Sequence, residues 1–116
     1  IDEKRVYAAA KQAQLSELIE EWGERYDTIV GEQGAKLSGG QKQRIGIARA
    51  LYKDASIFIF DEVTNNLDSY SREQTLKAIS LLKVAGKTAI FITHKEDELN
   101  LCDRVYSLEH KRLVSI

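Results

Sequence analysis

The chain has 116 residues and a formal net charge of −1, which allows one domain at most. Its 17 lysines and arginines are balanced by 18 aspartates and glutamates, so nothing in the charge argues for a nucleic-acid or membrane-surface binder. No apolar run approaches the ~20 residues needed to cross a bilayer, and the single cysteine, Cys102, rules out an intrachain disulfide and fits a reducing compartment.

The chain contains no methionine and opens on Ile1, so it reads as a piece of a longer polypeptide. "DEKRVYAAAKQAQ" predicts a first helix, with Val6, Ala9, Ala10 and Ala13 at helical spacing and acidic residues at its start. "SELIEEW" predicts a second, capped by Ser16, burying Leu18, Ile19 and Trp22 and stopping at Gly23. "YDTIVGEQGAK" reads as loop. In "KLSGGQKQRIGIARAL" a glycine pair precedes a cationic amphipathic helix carrying Lys42 and Arg44. Ser38 is its expected cap, Lys53 its approximate end, and Ile45, Ala48 and Leu51 its inward face.

"SIFIF" (residues 56–60) is apolar throughout and predicts a parallel strand covered on both faces. A long helix follows from about Ser69 to Ala85, with Leu76, Ile79 and Leu82 inward, Val84 at their margin, and Gly86 as the stop. "TAIFI" (residues 88–92) is a second buried strand. A short helix at Glu96–Leu101 and a hairpin turning at Glu109–Lys111 close the chain. The pattern is α/β with parallel core strands and flanking helices.

Three places carry chemistry. "IFIFDE" delivers Asp61 and Glu62 to the C-terminal end of a strand, where open α/β sheets bind ligands. An aspartate there suits Mg²⁺, a hard cation that keeps several waters. The neighbouring glutamate points elsewhere and suits polarising a water; the alternative is a surface loop that merely opens with "DE". "SGGQ" before a helix is either an anion-binding corner of backbone N–H groups or a plain capped turn. "FITH" brings His94 to the same sheet edge, as a donor to a terminal phosphate or as a structural hydrogen-bonder. "GKT" (residues 86–88) copies the tail of G-x-x-x-x-G-K-[ST], but Leu81 stands where the first glycine belongs and a strand follows instead of a helix. Lys87 is therefore expected to be a solvated charge.

Together these motifs resemble the nucleotide-binding domain of ATP-binding cassette (ABC) ATPases. "LSGGQKQR" resembles the signature motif, "IFIFDE" the Walker B strand, "NNLD" the D-loop, and His94 the switch histidine, in the family's order and spacing. "YDTIVGEQG" is similar to the exporter segment that faces the membrane domain. The resemblance covers the C-terminal half of the family's domain: residues 1–53 would be mainly its helical signature subdomain, and residues 54–116 part of its catalytic core.

By position, the resemblance implies that Ser38, Gly39, Gly40 and Gln41 contact ATP held by a second nucleotide-binding domain in a head-to-tail dimer. Asp61 would serve Mg²⁺ through water, Glu62 would be the general base, and His94 would sense the γ-phosphate. Asp68 would communicate across the dimer, and Glu32 would face a transmembrane domain at the cytoplasmic side of a membrane. The implied function is ATP hydrolysis coupled to export, with a DNA-maintenance ATPase as the alternative; no nucleic-acid partner is expected. Asn65 and Asn66 depart from the usual small residues of the D-loop, and Lys111 stands where the hairpin commonly has glycine. The phosphate-binding loop is not among these residues, so the chain alone is expected neither to bind ATP tightly nor to hydrolyse it.

Overall fold

The computed structural model describes residues 2–21 and 38–116; the expectations for Trp22, Gly23, Glu32 and "YDTIVGEQG" lie outside them. Helix α1 (Glu3–Gln12) starts at Asp2, whose carboxylate accepts from the N–H groups of Lys4 (3.1 Å) and Arg5 (3.3 Å). Such a cap satisfies amides that have no acceptor inside the helix and contributes about 1 kcal/mol. The helix ends with Gln14 in the left-handed region (φ 63°), and the Leu15 N–H returns to the Ala10 carbonyl at 2.9 Å. That reversal sends Leu15 into the core. Helix α2 (Ser16–Glu21) follows. Ser16 does not cap it: the Ile19 N–H bonds to the Leu15 carbonyl, so Leu15 holds the cap position and Ser16 is already helical.

Helix α3 (Gly39–Tyr52) packs between α1 and helix α4 (Ser69–Val84). Its buried stripe is Gly40, Arg44 and Ile47, whereas Ile45, Ala48 and Leu51 are half-buried against the core. The inward face is therefore broader than the apolar spacing predicts, because α3 meets a helix on each of two sides. Toward α1, the Arg5 guanidinium lies 4.7 Å from the Tyr52 ring centroid and donates to the Tyr52 carbonyl. Asp54 (φ 57°) ends α3 through the same reversal seen at Gln14.

Strand β1 (Ile57–Asp61) pairs in parallel with β2 (Thr88–Ile92), Ile59 opposite Ile90 and Asp61 opposite Ile92. Phe58 and Phe60 point to the helices, and Phe60 meets the Phe91 ring edge-on at 6.2 Å. Coverage of both faces is not found. Side chains alternate along a strand, so Ile57, Ile59, Ile90 and Ile92 share the other face, and all are about half or more exposed. Among the described residues no layer lies on it.

Thr75, Ala78, Ile79 and Leu82 form the buried side of α4; fully burying a residue of leucine's size contributes about 1.5–3 kcal/mol. Val84 is 83% exposed, because the last turn of α4 runs past the core. Gly86 (φ +77°) closes α4, with the Lys87 N–H bonded to the Leu82 carbonyl at 2.9 Å. The chain then enters β2 directly, so "GKT" is a helix stop. Lys87 is not solvated: its ammonium bonds Asp54 at 2.6 Å and its side chain is only 16% exposed. Helix α5 spans Glu96–Leu99. Strands β3 (Tyr106–Glu109) and β4 (Arg112–Ser115) form the closing antiparallel hairpin, whose turn residues His110 and Lys111 both have positive φ (47° and 65°).

Candidate functional site

Asp61 is the last residue of β1, and Glu62 turns the chain off the sheet at φ 49°. A side chain in that region costs about 1–2 kcal/mol. The conformation is held by the Glu62 N–H, which donates to the Ile92 carbonyl at 2.9 Å and so borrows the end of β2. Two residues beyond Ile92, His94 places Nδ1 at 3.1 Å from Oε1 of Glu62. Asp61, Glu62 and His94 thus gather at one edge of the sheet, as the sequence predicts. The Glu62 and His94 side chains are 45% and 74% exposed, so a reactant can approach them from solvent.

The loop after β1 is tightly folded. The Asn65 N–H bonds to the Glu62 carbonyl (3.1 Å) and the Leu67 N–H to the Thr64 carbonyl (3.3 Å). Asn66 is left-handed (φ 64°), a conformation asparagine tolerates better than most side chains, which gives one of the asparagines a physical reason. Asp68 then caps α4, accepting from the Ser71 N–H at 2.7 Å.

The Ser38 corner is a reciprocal cap. The Gln41 N–H donates to Ser38 Oγ (3.1 Å), and the Gln41 side-chain oxygen accepts from the Ser38 N–H (3.0 Å). Its two glycines differ. Gly39 is exposed, with a would-be Cβ at 3.1 Å from Leu67. Gly40 is buried, and a Cβ there would stand 2.7 Å from Cβ of Ser71, closer than carbon atoms pack. Gly40 therefore lets α3 touch α4, and what it can offer a ligand is limited to its backbone.

Arg44 is not a free cation facing an anion. It is 3% exposed, donates to the Ser71 carbonyl at 3.4 Å, and leaves Nε without a partner. Burial pushes its guanidinium below the ordinary arginine value, opposed by the fields of Tyr70 and Asp68. Gly39 against Leu67, Gly40 against Ser71 and Arg44 on the Ser71 carbonyl fasten the corner to the end of the loop that follows the acid pair and to the first turn of α4.

A further cluster has no counterpart in the sequence reading. Glu98 is fully buried and accepts from the hydroxyls of Thr64 and Thr93, with Arg72 at 3.8 Å from its Oε2. In "KEDEL" it looks like its neighbours Glu96 and Asp97, which are exposed, and no spacing rule singles it out.

Asp61 is exposed, and no hydrogen bond or ion pair engages its carboxylate among the described residues. Those residues also hold no group of three or more His, Cys, Asp or Glu side chains able to cage a metal. This donor set fits Mg²⁺, which takes one or two carboxylates and keeps its waters, and does not fit a fully protein-ligated ion.

A family model described as "ABC transporter" matches residues 1–65. The ATP-dependent lipid A-core flippase of Ralstonia nicotianae is 43% identical over 114 residues, 98% of this chain and 19% of that protein. The ABC transporter ATM1 of Toxoplasma gondii is 38% identical over 114 residues, 98% of this chain and 10% of that protein. The structure of a bacterial Atm1-family ABC exporter with ATP bound superposes with a TM-score of 0.76 at 38% identity, covering 97% of this chain and 19% of the other. The chain thus spans about a fifth of the length of the flippase and of the solved exporter.

Proposed function

The chain belongs to the ABC transporter family, and on that premise we propose that it forms part of the ATP-hydrolysing motor domain of a membrane exporter. Residues 1–53 contribute the signature subdomain and residues 54–116 part of the catalytic core. The observation that carries the reading is the Glu62–His94 contact at 3.1 Å, beside the unengaged Asp61 at the end of β1. The names of the relatives favour a transporter over a DNA-maintenance ATPase.

Glu62 acts as general base. Its Oε1 is taken by His94, which leaves Oε2 to accept a proton from an attacking water. If Nδ1–H of His94 donates to the carboxylate, Nε2 is the ring atom free to face a terminal phosphate, and it donates there only when it also carries a proton. The ring thereby ties the position of the base to the phosphate under attack. Asp61 would hold Mg²⁺, and the ion would supply charge neutralisation to the phosphates.

Ser38, Gly39, Gly40 and Gln41 present the first turn of α3 to the γ-phosphate of ATP bound by a second nucleotide-binding domain. The unpaired amides of a helix start suit an anion, and Ser38 Oγ can exchange its capping bond for a phosphate oxygen. Asp68, fixed at the start of α4, lies toward that partner domain. Glu32 contacts the transmembrane domain on the cytoplasmic side.

The test is ATP turnover by the whole protein carrying this chain. Glu62→Gln should lower kcat by about 10²–10⁴-fold, the usual worth of a positioned general base. Turnover within twofold of wild type would refute the assignment.

A further inference from the structure

The Glu62–His94 contact is made by exposed side chains on two loops, and neither loop is held in place by that contact alone. Beneath it lies Glu98, which has no solvent exposure. Its carboxylate accepts from Thr64 Oγ1, two residues beyond Glu62, through both oxygens, the longer at 3.1 Å. It also accepts from Thr93 Oγ1, the residue before His94, at 3.2 Å. One carboxylate thus bridges the loop that carries the base and the loop that carries the histidine.

The charges around it are arranged to keep it there. Arg72 of α4 stands 3.8 Å from Oε2 while its guanidinium bonds Asp97 at 2.6 Å. Lys95 donates its ammonium to Thr64 Oγ1 at 3.2 Å, and its N–H to Thr93 Oγ1 at 3.1 Å. Both hydroxyls are therefore oriented from two sides, donating to Glu98 and accepting from Lys95. A buried carboxylate is retained only where donors surround it, and here every donor sits on or beside the two site loops.

We propose that Glu98 is a positioning residue that clamps the Thr64 and Thr93 loops together and so fixes Glu62 against His94. The proposal rests on the reading of Glu62 and His94 as the working pair, but it concerns their geometry and is tested without nucleotide. The neighbouring Glu96 and Asp97 are exposed and do not bridge the two loops, which makes Glu96 the natural control.

The experiment is NMR on the whole protein carrying this chain, with labelled histidine, the His94 ring signal being assigned by its loss in His94→Gln. The reading is the NOE between the His94 ring and the Glu62 γ-protons. It should be present in wild type and Glu96→Gln, lost in Glu98→Ala, and retained in Glu98→Gln, which keeps the shape and one acceptor. The amide signals of α3 and α4 report whether the fold survives. An undiminished NOE in folded Glu98→Ala overturns the proposal. Should Glu98→Ala not fold, Thr64→Val and Thr93→Val decide: at least a twofold weaker NOE in either supports the clamp, and unchanged NOEs in both overturn it. Loss of the NOE in Glu98→Gln to the same extent as in Glu98→Ala also counts against it. Failure of the ATPase assignment would leave these outcomes unaffected.

Discussion

His94 Nδ1 lies 3.1 Å from Glu62 Oε1, and the two residues reach each other from the ends of adjacent parallel strands. Because the Glu62 side chain is about half exposed, its chemistry and its structural worth separate. Glu62→Gln keeps the same size and the same backbone bond to Ile92, so the stability of the chain should change by no more than about 0.5 kcal/mol. Chemical denaturation of the two chains checks this, and a larger loss would mean that the activity test reads unfolding.

The glycines of α3 should respond in opposite directions. Gly40→Ala forces a methyl group to within 2.7 Å of Ser71 Cβ, an overpacking that costs about 1–3 kcal/mol. Gly46 has nothing within 4 Å of a Cβ, and Gly46→Ala should stabilise by about 0.5–1 kcal/mol through helix propensity alone. Urea titration of both variants tests the contrast. Ser71→Gly should recover part of the Gly40→Ala loss.

The hairpin turn carries His110 and Lys111 at positive φ, where glycine and asparagine fit better. Lys111→Gly should raise stability by about 1 kcal/mol, with no change elsewhere, since both residues are exposed. Thermal unfolding with a hairpin-localised probe would show it; a loss would mean that Lys111 makes up its strain in another way.

Two aspartates titrate below the usual carboxylate range: Asp54 through its hydrogen bond with Lys87, and Asp97 through its hydrogen bond with Arg72. Their folded-state values are depressed, so each contributes stability that is complete above the unfolded value and is lost as pH falls through the folded one. Both carboxylates are exposed, so the effect is small. Asp54→Asn should lower stability slightly at neutral pH, flatten its decline below the ordinary aspartate range and converge on wild type in acid, as urea titrations across pH would show.

The bare sheet face of Ile57, Ile59, Ile90 and Ile92 should drive association of the isolated chain. Ile59→Lys with Ile90→Lys should shift sedimentation toward the monomer. Wild-type chain that stays monomeric at micromolar concentration would contradict this. For the isolated chain, ATP turnover indistinguishable from a Glu62→Gln control is the expected result.

Much of the fold was legible because local chemistry decides it. Ser38 and Gly86 mark helix ends by mechanisms that need no tertiary partner, and the strands 57–61 and 88–92 follow from apolar runs to within one residue. The meeting of Asp61, Glu62 and His94 follows from strand ends that share a sheet edge. Burial was harder to read. Arg44, Lys87 and Glu98 look like surface charges in the sequence, and each is drawn inward by a partner far along the chain, Ser71, Asp54 and Thr64 respectively. The same holds for the open face of β1: a run of isoleucine and phenylalanine does not say which of its two sides has a neighbour.

Leu67, at the far end of the turn that Glu62 begins, sets its side chain 3.1 Å from where a Cβ on Gly39 would stand. The first turn of α3 and the carboxylates' own loop are thus joined as by a lever at this side chain, beside the packing of Gly40 and Arg44 on Ser71 of α4. Enlarging Gly39 would jam that lever without altering one ionisable group.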